Sequence, residues 1–167
     1  MIRLLGHYIK YLAIYFVFGQ TFLLSSWSKF TGGGVPEFFK KEFEKTFLAT
    51  FPGLTASYYL IATLEGLVAV LVLVSIFSGD WRPTKAHKDW LKVMMGLAAG
   101  VFGILGFGLN LTDSYSQAAE LFAYFGATLV AWLVVSADES VAVRQTVRNA
   151  QEGKAARPAA LSAEPTA

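Results

Sequence analysis

Residues 55–77 read TASYYLIATLEGLVAVLVLVSIF, a run in which Glu65 is the single charged residue. About 20 helical residues cross the ~30 Å hydrocarbon core of a membrane, so this stretch is long and apolar enough to span one. Residues 8–27, 91–111 and 117–135 have the same character. The sequence therefore predicts an all-α fold, a four-transmembrane-helix bundle.

Composition supports a membrane protein and excludes several other classes. Of the 167 residues, 54% are hydrophobic and 16% are charged, against roughly 25% charged residues in ordinary soluble domains. Cysteine is absent, which excludes disulfides and cysteine-ligated metals or clusters. The net charge is only +2 and the basic residues flank apolar segments, so we expect no nucleic-acid binding.

The 14 lysines and arginines predict the topology. Ten precede or enter the first span, lie between the second and third spans, or follow the fourth: Arg3, Lys10, Arg82, Lys85, Lys88, Lys92, Arg144, Arg148, Lys154 and Arg157. The loop after the first span has four, interleaved with glutamates: Lys29, Lys40, Lys41 and Lys45. The positive-inside rule then places both termini in the cytoplasm. The first segment is longer than the apolar region of a signal peptide, so we expect it to be retained.

The loop after the first span predicts a short helix. Glycines at 32–34 end the preceding helix, Pro36 suits a helix start, and Phe39, Phe43 and Phe47 recur at helical spacing. This pattern is typical of a helix lying in the membrane interface. The alternative is a lid packed over the end of the bundle.

The chain divides into a four-span membrane domain, residues 1–136, and a cytoplasmic tail, residues 137–167. The tail ends in GKAARPAALSAEPTA, which has almost no large apolar residue. Because such a segment cannot bury a core, we expect about the last 15 residues to be disordered.

Small residues predict where the spans touch, because helices in lipid associate through close packing. The third span has glycines at 96, 100, 103 and 106, and the fourth has alanines at 119, 123, 127 and 131. We expect both sets to form contact seams.

Glu65 is the most informative polar position, since an ionised carboxylate in the middle of a span must be paired, hydrated or protonated. Its role is either structural or in proton transfer or ligand binding. Gln20 and Glu65 each lie about 18 Å from the inner end of their own span, so a Gln20–Glu65 hydrogen bond is predicted.

A second polar layer is expected near the outer ends of the spans. It comprises Ser25, Ser26, Lys29, Tyr58, Tyr59, Asn110, Asp113, Glu120 and Tyr124. If the spans pack together, the layer forms an outward-facing pocket; the alternative is ordinary placement of polar groups at an interface. The candidate ligand-binding or structural residues are Gln20, Lys29, Glu65, Asn110, Glu120 and Tyr124. His7 and His87 lack partner ligands at metal spacing, so no metal site is expected.

Four motifs together resemble the DoxX-like family of four-helix membrane proteins. They are WSKF at 27–30, GGVPEFFKKEFEKTF in the loop, LEGLVAVLVLV around Glu65 and AELFAYFG around Glu120. The resemblance implies a bundle in a bacterial-type inner (plasma) membrane. Some relatives are associated with quinone-linked sulfur oxidation or redox-stress complexes, but no motif here belongs to the thiosulfate-oxidising branch.

The sequence leaves the enzymatic status open. The leading hypothesis is an accessory or scaffolding inner-membrane subunit, surrounded by membrane lipid and joined to a membrane-complex protein partner. The alternatives are a quinone-reactive oxidoreductase subunit, with quinone as cofactor, and binding or transport of a small lipophilic molecule.

Overall fold

The computed structural model describes the backbone of residues 2–161 and the side chains of residues 4–152, and this part of the chain is helical without strands. The helices are α1 (Ile2–Thr31), α2 (Glu37–Phe43), α3 (Leu54–Phe77), α4 (Asp89–Asn110) and α5 (Tyr115–Leu161), with a 3₁₀ turn at Phe47–Ala49. The four long helices α1, α3, α4 and α5 are long and apolar enough to cross a membrane. The predicted all-α fold with four spanning helices is confirmed.

The bundle packs in chain order, α1 on α3, α3 on α4, and α4 on α5. Its core consists of aromatic residues of α1, such as Tyr11 and Phe22, against Val68 of α3 and Met94 and Met95 of α4. Large apolar side chains also cover the outside of the helices, as at Leu12, Phe16, Leu24 and Leu133. An exterior of this kind suits lipid as the surrounding solvent.

The predicted small-residue seams form only in part. A Cβ at Gly96 would lie 3.0 Å from the Trp132 ring and one at Gly106 would lie 3.0 Å from the Phe122 ring, so α5 packs closely on α4 there. Gly100 and Gly103 have open space around them.

The predicted alanine seam is wrong for most of its length. Residues 119, 123 and 127 are exposed and residue 131 is half-buried. The face of α5 that packs into the bundle instead contains Ala118, Thr128, Val135 and Ala142. Regular spacing of alanines selects one face of a helix, but it does not say that this face is the buried one.

Two hydrogen bonds define how α1 and α3 lie side by side. The Tyr15 and Ser75 hydroxyls are 2.8 Å apart, and the Ser25 hydroxyl donates to a carboxylate oxygen of Glu65 at 2.9 Å. Both pairs give the same antiparallel register.

The segment after α1 packs over one end of the bundle, hereafter the α2 end. Phe43 is buried, and Phe39 contacts it and Tyr58 with ring centroids 4.7 and 5.2 Å apart. Glu42 accepts hydrogen bonds from Thr112 and Ser114 in the α4–α5 loop; these are 3.2 and 3.1 Å long. This is the packing expected of a lid, whereas an interfacial location for α2 stays a prediction.

The last helix runs past the bundle. At 1.5 Å per residue the 47 residues of α5 extend about 70 Å, more than twice the membrane core. The helix continues without a break across the predicted boundary at residue 136. The predicted disorder covers residues 153–167, whose side chains lie outside the described residues, as does the backbone of 162–167.

Candidate functional site

The centre of the bundle contains a buried ion pair. Glu65, in the middle of α3, is 3% exposed, and Lys29 Nζ donates to its two carboxylate oxygens at distances of 2.8 and 2.6 Å. Ser25 Oγ donates to Oε2 at 2.9 Å and accepts from Lys29 at 2.6 Å. Glu65 is therefore paired and hydrogen-bonded, as an ionised group at this depth requires.

Local helix geometry accounts for this arrangement. Ser25 and Lys29 are four residues apart on α1 and so share one face of that helix. The antiparallel register places Ser25 level with Glu65, and the long lysine side chain reaches back from the last turn of α1. Lysine can do this because its flexible stem packs along apolar surface while its ammonium group finds a partner.

A groove of about 580 Å³ adjoins Glu65. It lies between α1 and α5, whose backbones come close to each other at few places, with α3 and α4 behind it. Its walls are Ala13, Ile14, Val17, Phe18, Thr21, Phe22 and Ser25 on α1, Leu121, Tyr124, Ala127, Thr128 and Ala131 on α5, and Glu65, Phe102 and Leu105 behind. The surface of the groove is mainly apolar, with Glu65 as the charged residue among these walls.

Three of the six candidate residues come together at this site. Lys29 pairs with Glu65, and Tyr124 lines the groove together with Glu65. The Tyr124 ring packs on Phe102 with centroids 5.8 Å apart, and the ring is half exposed.

Gln20 does not belong to the site, and the predicted Gln20–Glu65 hydrogen bond is wrong. Gln20 is on an exposed face of α1, and Glu65 takes its hydrogen bonds from Lys29 and Ser25. The prediction took residues 8 and 77 as level ends of the two spans. The observed register moves α1 by five residues, about 7.5 Å, so that Gln20 is opposite Val70.

Asn110 and Glu120 also lie apart from the groove. Asn110 is half-buried at the C-terminal end of α4, and Glu120 is exposed on α5. The predicted outer polar layer therefore does not close into one pocket. Ser25 and Lys29, on α1, turn inward to Glu65. Asp113 lies in the exposed α4–α5 loop and accepts a hydrogen bond of 2.7 Å from the Tyr115 hydroxyl.

A second buried carboxylate, missed by the sequence reasoning, follows α3 at the opposite end of the bundle, hereafter the basic end. Asp80 has no exposed surface; it pairs with Lys85 and accepts from Ser75 at 3.2 Å and from the Leu91 backbone N–H at 2.8 Å. Gly79 makes this turn possible because its φ of 73° suits a residue without a Cβ. Two backbone hydrogen bonds close the turn, from the Gly79 N–H to Ile76 O and from the Asp80 N–H to Ser75 O. Asp80 thus ties the end of α3 to the start of α4. Its position directly after a span, in a loop rich in basic residues, was the available sequence signal.

His87, Asp89 and Glu139 also come together at the basic end. Each offers one atom that could bind a metal ion, and these three atoms lie within 4.8 Å of one another. Lys92 Nζ lies 2.8 Å from Glu139 and 3.5 Å from Asp89, and His87 Nδ1 lies 3.2 Å from Glu139. Because Lys92 contacts both carboxylates, the group is an ion-pair network that joins α4 and the loop before it to α5.

The groove and its ion pair thus combine an apolar wall, open on one side between two spans, with a buried carboxylate that holds three hydrogen bonds. Comparison of the chain with models of known families, with curated proteins and with solved structures gives no match.

Proposed function

We propose that the protein binds a small lipophilic molecule in the groove between α1 and α5, with the polar head of that molecule at Glu65. The observation that carries the proposal is the position of a buried, charged hydrogen-bonding group at the back of an apolar groove between two membrane helices. Ligand sites are typically mostly apolar with a few placed polar groups.

The ion pair defines the head group that would fit. A carboxylate offers about four lone-pair positions, and Glu65 uses three of them for Lys29 and Ser25. One acceptor position remains, which suits a hydroxyl or amine donor on the ligand. Tyr124 supplies a further hydroxyl along the same groove.

Two substitutions on α5 test the proposal. Ala127 and Ala123 are both exposed alanines on this helix, but only Ala127 lines the groove. Ala127→Trp should fill the groove and Ala123→Trp should leave it open. In native mass spectrometry of gently extracted protein, lipophilic molecules retained by the parent chain should be lost from Ala127→Trp and kept by Ala123→Trp. Equal retention by both variants would exclude the groove as the binding site.

A quinone is the second candidate ligand, and the free acceptor position of Glu65 and the Tyr124 hydroxyl favour it. The hydroxyls of a quinol match the free acceptor position of Glu65, and its isoprenoid chain matches the apolar wall. The reaction would need a redox partner to deliver or take electrons. Decylubiquinol and decylubiquinone are suitable probes: if both protect the parent chain from heat and neither protects Ala127→Trp, the site accepts quinones.

The remaining predictions about the biological setting are also kept as proposals. The excess of lysine and arginine at the basic end supports a cytoplasmic location of both termini, and the resemblance to the DoxX-like family supports a plasma-membrane location. Membership of the DoxX-like family rests on the four motifs, two of which contain the paired residues Lys29 and Glu65. An accessory role in a membrane complex would place a partner on the lipid-facing surface, and co-purification at fixed stoichiometry would test it.

A further inference from the structure

A separate cavity of about 540 Å³ lies at the basic end, between the start of α1, the α3–α4 loop and the part of α5 beyond residue 136. Three basic side chains line it, His7, Lys10 and Lys88, together with one carboxylate, Asp138. Apolar Leu4 and Val141 form part of the remaining wall and are themselves about half exposed.

The carboxylate in this cavity already has its partners. Asp138 forms an ion pair with Lys10, accepts from Tyr11 at 3.1 Å and lies 3.6 Å from His7. These contacts join α1 to α5 at the basic end. They also pair the charge of Asp138 with that of Lys10, so Asp138 is not free to balance the third basic residue.

Lys88 is that third residue, and it is buried. Only 1% of its surface is exposed, and its Nζ donates to the backbone oxygens of Asp80 and Arg82 at 2.7 and 2.9 Å. The Tyr11 ring is 5.0 Å away. Among residues 4–152, no carboxylate oxygen lies within 4.0 Å of this ammonium group.

Burial without a counterion has a clear electrostatic cost. Loss of hydration lowers the pKa of Lys88 from its ordinary value, and the more distant carboxylates of Asp138 and Asp80 oppose this shift. A buried charge is normally paired or bound to a ligand. The two carbonyl oxygens and the aromatic face solvate the ammonium but carry no formal negative charge.

We propose that the cavity at the basic end binds a phosphate-bearing anion, with Lys88 as its counterion. Two kinds of molecule carry such a phosphate group. One is an anionic phospholipid, through its head group, and the other is a soluble anion, either free phosphate or a phosphate ester. A basic pocket between membrane helices near the surface is suited to an anionic lipid head group. The apolar residues Leu4 and Val141 beside the cavity offer a surface for the first part of an acyl chain.

Thermal unfolding of the purified full-length chain in a non-ionic detergent tests this site. The additions are phosphatidylglycerol, phosphatidylcholine with the same acyl chains, inorganic phosphate, and sodium chloride at matched ionic strength. Phosphatidylglycerol or inorganic phosphate should raise the unfolding temperature more than its matched control does. Stabilisation by phosphatidylglycerol alone assigns a lipid, and stabilisation by inorganic phosphate assigns a soluble anion.

Two variants connect the effect to the cavity. Lys88→Met should weaken binding of the stabilising anion roughly fivefold, the factor contributed by one basic side chain at a membrane surface. Arg144→Met is the matched control, because Arg144 is an exposed basic residue of α5 that does not line the cavity. It should bind as the parent chain does.

Gly6→Phe covers the case in which Lys88→Met fails to fold. Gly6 lines the cavity and has open space where a Cβ would lie, so the new ring occupies the cavity while every charge is kept. It should abolish the anion-dependent stabilisation. The proposal is overturned if neither anion exceeds its control, or if Gly6→Phe, or a folded Lys88→Met, responds as Arg144→Met does.

Discussion

The Lys29–Glu65 pair leads to an asymmetric prediction, because its two members differ in access to water. Lys29→Met leaves a carboxylate that is 3% exposed with a single hydrogen bond, from Ser25. Glu65→Leu leaves an ammonium whose side chain is 20% exposed and stands in the last turn of α1. The lysine can extend toward the α2 end and be hydrated, whereas the glutamate cannot move out of α3.

The magnitudes follow from this difference. Breaking a buried pair by removing one partner costs about 3–5 kcal/mol, which we expect for Lys29→Met. For Glu65→Leu we expect about 1–2 kcal/mol, since the freed ammonium regains hydration. The double variant Lys29→Met/Glu65→Leu removes both charges and should lie within about 1 kcal/mol of the parent chain.

Reversible unfolding in mixed micelles, followed by circular dichroism, measures these free energies. Lys40→Met is a suitable control, because its partner Glu37 is exposed and such pairs contribute about 0–1 kcal/mol. The reasoning fails if Glu65→Leu is as costly as Lys29→Met, or if the double variant loses the sum of the two single losses.

Three further predictions concern packing, the basic end and topology. Gly96→Ala should lower the free energy of unfolding by about 1–3 kcal/mol, because its Cβ would lie 3.0 Å from Trp132. Gly100→Ala has open space for its Cβ and should be neutral or stabilising by up to about 1 kcal/mol. Thermal unfolding of the two variants compares them. Asp80→Asn should destabilise the protein by about 3 kcal/mol through loss of its Lys85 pair, and the exposed Asp113→Asn by less than about 0.5 kcal/mol, as unfolding in mixed micelles would measure. Because the chain has no cysteine, Lys41→Cys and Arg148→Cys each provide a single labelling site; in intact cells a membrane-impermeant maleimide should react with the first alone, and the reverse pattern would contradict the predicted orientation.

The sequence was sufficient to predict the four spanning helices, because their length and apolar composition are properties of each segment alone. It also identified Glu65 and Lys29, since charged residues in or beside spans are few. What it could not supply was the register between helices. Taking residues 8 and 77 as level ends produced the wrong partner for Glu65, because α1 continues to Ile2 and the membrane boundary of a helix is not visible in its composition.

The buried groups at the basic end show a second limit. Lys88 and Asp80 lie in or beside a loop rich in basic residues, where charged side chains are normally exposed. Lys88 also lies beside α1 and α5, whose residues Tyr11 and Asp138 come from distant parts of the chain. The periodicity of residues within one segment carries no information about contacts between helices that are distant in the sequence.

The groove between α1 and α5 is stable as an open feature because lipid is the surrounding solvent. Two apolar helix faces in lipid gain little by closing on each other, since acyl chains fill the space equally well. The Asp138 contacts hold the two helices together at the basic end, while small residues, Ala13 on α1 and Ala127 on α5, line the space between them further along. Hydrocarbon of some kind therefore always competes for this groove. A ligand gains over bulk lipid only through its polar head, which makes the remaining acceptor position of Glu65 the source of selectivity in the proposed function.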